Sequence, residues 1–203
     1  MRVSTTMRGV VWAVAAVGLI AWAVVGVGGS RAAGDPPPQI APVTHADAAV
    51  QSALGAFRRP LRQDDVVPIG VRSALSGSEG VDDVNPDLGR AVGPGGRLYL
   101  MPGDGKLCVG RDLDPGSVVY CTEDESLANG EFVGAVVHTA AGLEVSGIVG
   151  DGASQVRVTT AEGVVGVDVV DGAVLTTTAA PPRSISWTDR DGARHTQAIG
   201  VPR

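Results

Sequence analysis

Two cysteines are the residues whose spacing most directly predicts chemistry. Cys108 and Cys121 are the only cysteines among the 203 residues. A hairpin that turns between Asp114 and Pro115 places them opposite each other, because each lies equally far from the turn. A non-hydrogen-bonded pair there is within reach of a disulfide, which an exported chain would form. Two buried free thiols or a metal site with two further ligands are the alternatives.

Three histidines could act as general bases. His45 lies at a predicted helix start, His138 in a predicted strand and His195 after a predicted turn. A hydrolase needs a nucleophile presented on a turn within hydrogen-bond reach of such a base. The chain lacks a G-x-S-x-G elbow, and Ser146 lies inside an apolar strand. We therefore expect no catalytic residue and no cofactor, and an envelope hydrolase that uses His138 or His195 with a carboxylate is the rival hypothesis.

Three acidic segments of the chain are candidates for a calcium-binding site. Residues 188–192 read TDRDG and resemble the start of an EF-hand loop, but Gly200 stands where that loop needs its last acid. A hairpin turn explains this segment better. The clusters Asp82-Asp83 and Glu123-Asp124-Glu125 could hold calcium loosely, but we expect them to form solvated faces. The sequence therefore predicts no metal site.

The elements that position these residues are mostly β-strands. From Arg97 onward, short apolar or alternating runs are separated by Asp-Gly and Glu-Gly turns. This spacing is typical of a sandwich or barrel, although the Cys…Trp…Cys spacing of antibody-type domains is missing. We predict a mainly β, antiparallel, sandwich-like domain over residues 96–203. The predicted strands are 98–101, 106–110, 117–122, 131–139, 142–149, 155–159, 164–170, 174–178, 183–188 and 194–199.

Residues 44–95 are predicted to hold one short helix followed by a loop region. The helix runs from Thr44 to Phe57, with Thr44 and Asp47 as a capping pair and an apolar stripe formed by Ala46, Val50, Leu54 and Phe57. Residues 70–95 are predicted to be a loop with helical content around Leu75 or Leu88.

Three arginines follow this helix, in the segment FRRPLRQDDVVP of residues 57–68. A small basic patch for an acidic partner or a lipid headgroup is one interpretation. Local ion pairing with the neighbouring aspartates at a helix end is the favoured one, because exposed patches of this size contribute little.

The N-terminal segment predicts the location of the chain. Residues 9–30 carry no ionisable side chain, and about 20 apolar residues suffice to cross a bilayer as a helix. Two arginines precede the run, which favours a cytoplasmic tail at residues 1–8. Residues 31–43 are a Pro-rich linker. A cleaved signal peptide, and hence a secreted protein, is the main alternative, and a buried soluble helix is a weaker one.

The balance of charged residues indicates which classes of partner the chain disfavours. The chain has 16 basic and 22 acidic residues, and two of the basic ones, Arg2 and Arg8, precede the membrane run. The outer part is thus strongly acidic, which disfavours nucleic acid and anionic lipid as ligands.

The combination of the membrane segment with AFRRPLRQDDVVP, GRLYLMPGDGKLCVG…VVYC and GIVGDGASQVRVTTAEG resembles uncharacterised exported proteins of GC-rich actinobacteria over residues 44–199. The resemblance implies a cell-envelope location and a cysteine pair in a β domain, and it implies no activity. We therefore expect a single-pass membrane protein whose extracytoplasmic domain binds or scaffolds an unknown envelope protein or ligand without catalysis.

Overall fold

Twelve short strands dominate the part of the chain that a computed structural model describes, residues 44–114 and 116–200. Strands hold 43% of the described residues and helices 18%, so the predicted mainly β class is confirmed. The strands form three sheets, and every pairing in them is antiparallel. The predicted membrane segment 9–30 lies outside the described residues. No helix within the described ranges is long and apolar enough to cross a bilayer.

The first sheet is a meander whose strands follow one another in the order β1-β2-β3-β4. Its two long hairpins are set by the turns at residues 103–105 and 113–116. The strands are β1 Arg90–Val92, β2 Leu98–Pro102, β3 Lys106–Asp112 and β4 Ser117–Glu123.

The second and third sheets share the rest of the chain. The second has the order β5-β6-β10-β9 and the third β12-β11-β7-β8. The predicted run 164–170 is divided at Asp168, and the other predicted strands are present within one or two residues at most ends. The strands are β5 Val133–Thr139, β6 Gly142–Ile148, β7 Ser154–Thr160, β8 Val164–Val167, β9 Val169–Val170, β10 Ala173–Thr178, β11 Pro182–Thr188 and β12 Arg194–Ala198.

The second sheet contributes to two hydrophobic cores because both faces of β6 are buried. Val145 packs in a core with Val158 and Ile185 of the third sheet. Ile148, on the opposite face of β6, packs in a core with Leu107 of the first sheet. Alternation along a strand sends neighbouring side chains to opposite faces, so one strand serves both cores.

Three short helices accompany the sheets: α1 Ala48–Ala53, α2 Ile69–Ser76 and α3 Asp124–Ala128. Helix α2 and a 3₁₀ turn at Pro86–Leu88 supply the helical content predicted around Leu75 and Leu88. Leu75 of α2 packs with Met101 and Cys108 on the first sheet. The strand β1 and the helix α3 were not predicted, because elements of three and five residues, respectively, are too short to show a periodic pattern of apolar residues.

The first helix is shorter than predicted, and its cap is different. It spans Ala48–Ala53 and continues as a 3₁₀ turn at Gly55–Phe57. Asp47 is the N-cap, while the Thr44 hydroxyl lies 3.1 Å from the ring of His45. The capping-pair prediction is wrong because the Asp47 carboxylate accepts a hydrogen bond from the Gly105 N–H instead, at 3.2 Å. The predicted apolar stripe is buried throughout.

One side-chain amide joins the second and third sheets at their edges. Gln197 of β12 accepts a hydrogen bond from the Phe132 N–H at 2.9 Å. The same amide donates to the Phe132 carbonyl at 3.0 Å. The N–H and C=O groups of Phe132, the residue before β5, are therefore hydrogen-bonded to one side chain, as they would be to a neighbouring strand.

Candidate functional site

The predicted disulfide is present. Cys108 and Cys121 are direct partners in the β3–β4 register, their Cα atoms are 4.0 Å apart, and their sulfurs are bonded. This register confirms the hairpin prediction, and the two alternatives, free thiols and a metal site, are wrong. Cys108 is fully buried, while Cys121 faces solvent. The covalent link therefore joins the core beneath α2 to an exposed sheet edge.

The three histidines lie apart. His45 is exposed beside α1, and His138 is exposed on β5. His195, on β12, is half-buried and is the one that the structure brings to a carboxylate. Its Nε2 donates to Oδ2 of Asp189 at 2.8 Å. Among the described residues, His195 is thus the histidine that pairs with a carboxylate.

The hairpin between β11 and β12 explains why this pair forms. Asp189 Oδ1 accepts hydrogen bonds from the N–H groups of Asp191 and Ala193, at 2.9 and 2.8 Å. Those bonds shape the turn and leave Oδ2 free to face His195. The hydrogen bond from His195 lowers the pKa of the Asp189 carboxyl, and the two backbone donors lower it further. Residues 188–192 are thus a hairpin turn, as the sequence favoured.

The indole ring of Trp187 packs against the face of the His195 ring. Trp187 is the direct cross-strand partner of His195. The two rings stack with centroids 5.3 Å apart and planes 11° from parallel. Trp187 is only 3% exposed, so its face is occupied by the protein and does not offer a free stacking platform.

A cleft of about 220 Å³ opens beside this hairpin. Its walls come from the ends of α1 and α3 and from the turns that follow β6 and β11. We call it the hairpin cleft, and it is lined by Ser52, Ala53, Leu127, Ala128, Gly130, Gly150, Asp151, Ala153, Trp187, Asp189, Arg190 and Asp191.

The two turns of the hairpin cleft fit closely together. Gly152 has φ +81, and a Cβ there would lie 2.8 Å from Cβ of Arg190, so only glycine suits this position. Asp151 is bound on the α1 side: it pairs with Arg58 at 2.7 Å and accepts from the Gly55 N–H. The wall of the cleft is therefore held by charged and backbone contacts.

Two charged side chains at the mouth of the hairpin cleft have no partner of their own. Arg190 and Asp191 are exposed, and among the described residues neither side chain makes a hydrogen bond or an ion pair. A ligand with both donor and acceptor groups could engage them without first breaking a contact within the protein.

The His195–Asp189 pair stops short of a complete hydrolase set, and of its two members only Asp189 lines the hairpin cleft. His195 and Asp189 supply a base and the residue that orients it. Among the described residues, however, no hydroxyl hydrogen-bonds to the His195 ring, and both cysteines are in the disulfide. A nucleophile within reach of the base is the missing member. Nor, within the same ranges, are three His, Cys, Asp or Glu side chains grouped to hold a metal ion.

In comparisons with protein-family models, curated proteins and solved structures, nothing matched this chain.

In the arginine segment 57–68, Arg59 forms the local ion pair that was favoured, whereas Arg58 pairs with the distant Asp151. Arg59 binds Asp65 with two hydrogen bonds of 2.6 and 2.7 Å. Asp65 also accepts from the N–H groups of Arg62 and Ala91, at 2.7 and 2.8 Å. Burial raises the pKa of Asp65, but these donors outweigh it and bring the pKa to about 2.

Two predicted solvated acids are instead buried. Asp83 is 6% exposed; it pairs with Lys106 at 3.1 Å and accepts from the Asp104 N–H at 2.7 Å. Asp124, also 6% exposed, starts α3 and has no such donors: neither carboxylate oxygen has a hydrogen-bond donor among the described residues. The solvated-face prediction is wrong for both, because folding covers them with neighbouring segments that lie far away in sequence.

The carboxyl of Asp124 faces that of Asp47, and we call these two residues the acid pair. Burial raises the pKa of Asp124 most, and Asp47 raises it further, to about 7. A proton on Asp124 can bond to Asp47, which avoids two ionised carboxyls that face each other. The run Glu123-Asp124-Glu125 carried no sign of this partner, since Asp47 lies on α1.

Proposed function

We propose that this chain is a single-pass cell-envelope protein whose extracytoplasmic domain binds an envelope protein or ligand through the hairpin cleft, without catalysis. Residues 9–30 would anchor it in the membrane, and the Pro-rich linker would separate anchor and domain. In this proposal the second and third sheets, with their shared core, are the sandwich-like part of the domain. Nucleic acid is not the ligand, because the outer part is acidic.

The observation that carries the binding proposal is the mouth of the hairpin cleft. Arg190 and Asp191 project from a turn that is braced by Asp189 and Gly152, so their backbone is fixed while their side chains are uncommitted. A fixed backbone lowers the entropy lost on binding, so the ordering cost falls on the side chains alone. The Cys108–Cys121 disulfide supports the extracytoplasmic location, because such bonds persist in oxidising compartments.

Site-specific photo-crosslinking tests this role in intact actinobacterial cells. A photoreactive residue at Asp191 should yield a discrete adduct with one envelope component, identified by mass spectrometry. The matched control is Asp168, an exposed aspartate that does not line the cleft. Equal adducts at both positions, or none at Asp191, would contradict the proposal.

The intact mass of the mature protein tests the anchor. A chain that begins near Met1 retains residues 9–30 in the membrane. A chain that begins near Ser30 would be secreted, and the anchoring part of the proposal would then be wrong while the cleft's role would stand.

A hydrolase is the second candidate, and the 2.8 Å contact between His195 and Asp189 is the observation that favours it. Ester or peptide hydrolysis that His195→Gln and Asp189→Asn both abolish, but that His138→Gln retains, would establish this rival. His138 is the suitable control because it is exposed on β5 and has no carboxylate partner among the described residues. We expect no hydrolysis from the unaltered protein.

A further inference from the structure

Helices α1 and α3 connect two features of the molecule. At their N-terminal ends lies the acid pair, since Asp47 caps α1 and Asp124 is the first residue of α3. At their C-terminal ends, Ala53 and Leu127 line the hairpin cleft. The two helices pack against each other between these ends. A change in their packing at the acid pair therefore reaches the walls of the cleft.

One turn clamps the acid pair. The Gly105 N–H donates to Asp47 Oδ2 at 3.2 Å, and the Asp124 N–H donates to the Gly105 carbonyl at 3.0 Å. The Asp124 side chain has no donor of this kind, although both its oxygens are buried. An ionised carboxylate in this position would lack the hydrogen bonds that normally replace its hydration.

The charges around the acid pair are of one sign. Asp104 of the β2–β3 turn and Glu123 of β4 act on Asp124 as additional negative charges, and Glu125 lines the same pocket. Lys106 on β3 is already paired with Asp83.

His45, the remaining titratable residue beside α1, is exposed and contacts Thr44. Among the described residues that line the pocket, no cation offsets the ionisation of Asp124.

We propose that the proton shared by Asp47 and Asp124 holds α1 against α3, and that its loss loosens both helices and with them the walls of the hairpin cleft. The fold thus carries a proton-dependent latch on its binding site. This inference rests on the proposed function only for the role of the cleft; the latch itself is a property of the two helices.

The sign of the effect follows from proton linkage. In the closed state the pKa of Asp124 is about 7, and in an opened state it returns to about 3.9. Between these values the closed state holds a proton that the opened state releases. Opening therefore becomes more favourable by up to about tenfold for each pH unit from about 4 to 7, and levels off above pH 7.

Amide hydrogen exchange of the full chain in detergent micelles measures this directly. Peptides covering residues 46–54 and 121–131 report α1 and α3, and a peptide from β11 corrects for the intrinsic pH dependence of exchange. We expect the corrected protection of the two helices to fall by up to about tenfold per pH unit between pH 5 and 7. It should change little between pH 7 and 8.

Three variants identify the group responsible. Asp124→Asn keeps the shape of the protonated carboxyl and should make the protection independent of pH. Glu131→Gln removes a charge at an exposed position just after α3, outside the pocket, and should keep the full response. Asp47→Asn leaves Asp124 facing a neutral amide and should reduce the response, and this variant decides the question if Asp124→Asn does not fold.

Several results would overturn the latch. Protection that is constant in the unaltered protein, or a response that persists in Asp124→Asn, would rule out the shared proton. Restoration of protection at pH 8 by millimolar Ca²⁺ would show that the acid pair binds a cation instead. Because exchange needs no ligand, a failed crosslink at Asp191 with an intact pH response would refute the cleft's binding role alone, and the reverse result would refute the latch alone.

Discussion

Asp65 and Asp124 are both aspartates that folding removes from water, and they respond in opposite ways. Asp65 is 3% exposed and Asp124 is 6% exposed. Yet the pKa of Asp65 falls to about 2, whereas that of Asp124 rises to about 7. Burial acts in the same direction on both, so the difference comes from what surrounds each carboxyl.

The number of donors decides between these two outcomes. Asp65 accepts four hydrogen bonds, two of them from the guanidinium of Arg59. Asp124 accepts none from the described residues and faces the carboxyl of Asp47. A buried acid is therefore a fixed structural anion in one place and a titrating group in the other.

The two residues give the stability of the domain opposite slopes against pH. Asp65 contributes stability that is present above about pH 4 and is lost as the pH falls towards its folded-state pKa of about 2. Asp124 costs stability progressively as the pH rises from about 4 to about 7. Their combined contribution is greatest near pH 4.

The largest expected effect is the loss of stability on removing the Asp65 carboxylate, which accepts four hydrogen bonds. Asp65→Ala leaves Arg59 unpaired and two backbone N–H groups without acceptors, so it should lower the free energy of unfolding by about 3 kcal/mol at pH 7. Chemical denaturation measures the loss. Asp64→Ala, at the exposed neighbouring position, is the control and should change stability by less than about 0.5 kcal/mol. Equal losses in both variants would contradict the assigned role of Asp65.

A gain in the free energy of unfolding is expected when the Asp124 carboxyl is replaced. Asp124→Asn should raise the free energy of unfolding by about 2 kcal/mol at pH 8, and by far less at pH 4. This is roughly half of what the displaced pKa would give, since water at the open pocket screens the pair. Denaturation at the two pH values measures the difference. A loss of stability at pH 8 would show that ionised Asp124 is stabilising.

A smaller effect tests the geometry of the Asp65 site. Arg59→Lys keeps the positive charge but loses the two-pronged contact with Asp65 and the hydrogen bond to the Ala91 carbonyl. We expect a loss of about 1 kcal/mol and an acid transition shifted to higher pH, followed by circular dichroism. Arg194→Lys, on an exposed strand position, should leave both unchanged.

The smallest effect concerns charge at a distance from Asp124. Asp104→Asn removes an exposed carboxylate that disfavours ionisation of the acid pair. Stability at pH 8 should rise by a few tenths of a kcal/mol, with no change at pH 4. Unfolding curves of the variant and the unaltered protein at low salt, recorded at both pH values, measure this difference in stability. An effect of equal size at pH 4 and pH 8 would show that it comes from the structure of the turn rather than from the charge of Asp104.

Sequence reasoning worked where local pattern determines structure. The distance of Cys108 and Cys121 from their turn set the register that pairs them, and Asp-Gly turns marked the ends of most later strands. The pairing of His195 with Asp189 was also within reach, because the turn at Gly192 places Trp187 opposite His195. The sequence named the histidine without naming its carboxylate.

Tertiary contact decided what local pattern missed. Thr44 was expected to cap the first helix, with Asp47 returning to its backbone, but Asp47 is itself the N-cap and its carboxylate accepts from Gly105, which is distant in sequence. Asp65 and Asp124 both lie in short acidic runs, and nothing in those runs distinguishes an acid that meets Arg59 from one that meets Asp47. Sequence reasoning did favour ion pairing of the arginines with the neighbouring aspartates, as Arg59 and Asp65 show, but the Ala91 donor to Asp65 and the Asp47 carboxyl that faces Asp124 come from other elements and were not predicted.

The amide of Gln197 has a consequence for how copies of this protein meet. Strand β5 is at the edge of its sheet, where unpaired N–H and C=O groups would be a template for a strand of another molecule. The first such groups at its entrance, those of Phe132, are already taken by the side chain of Gln197. A foreign strand could therefore not pair with the entrance of β5 without first displacing that amide.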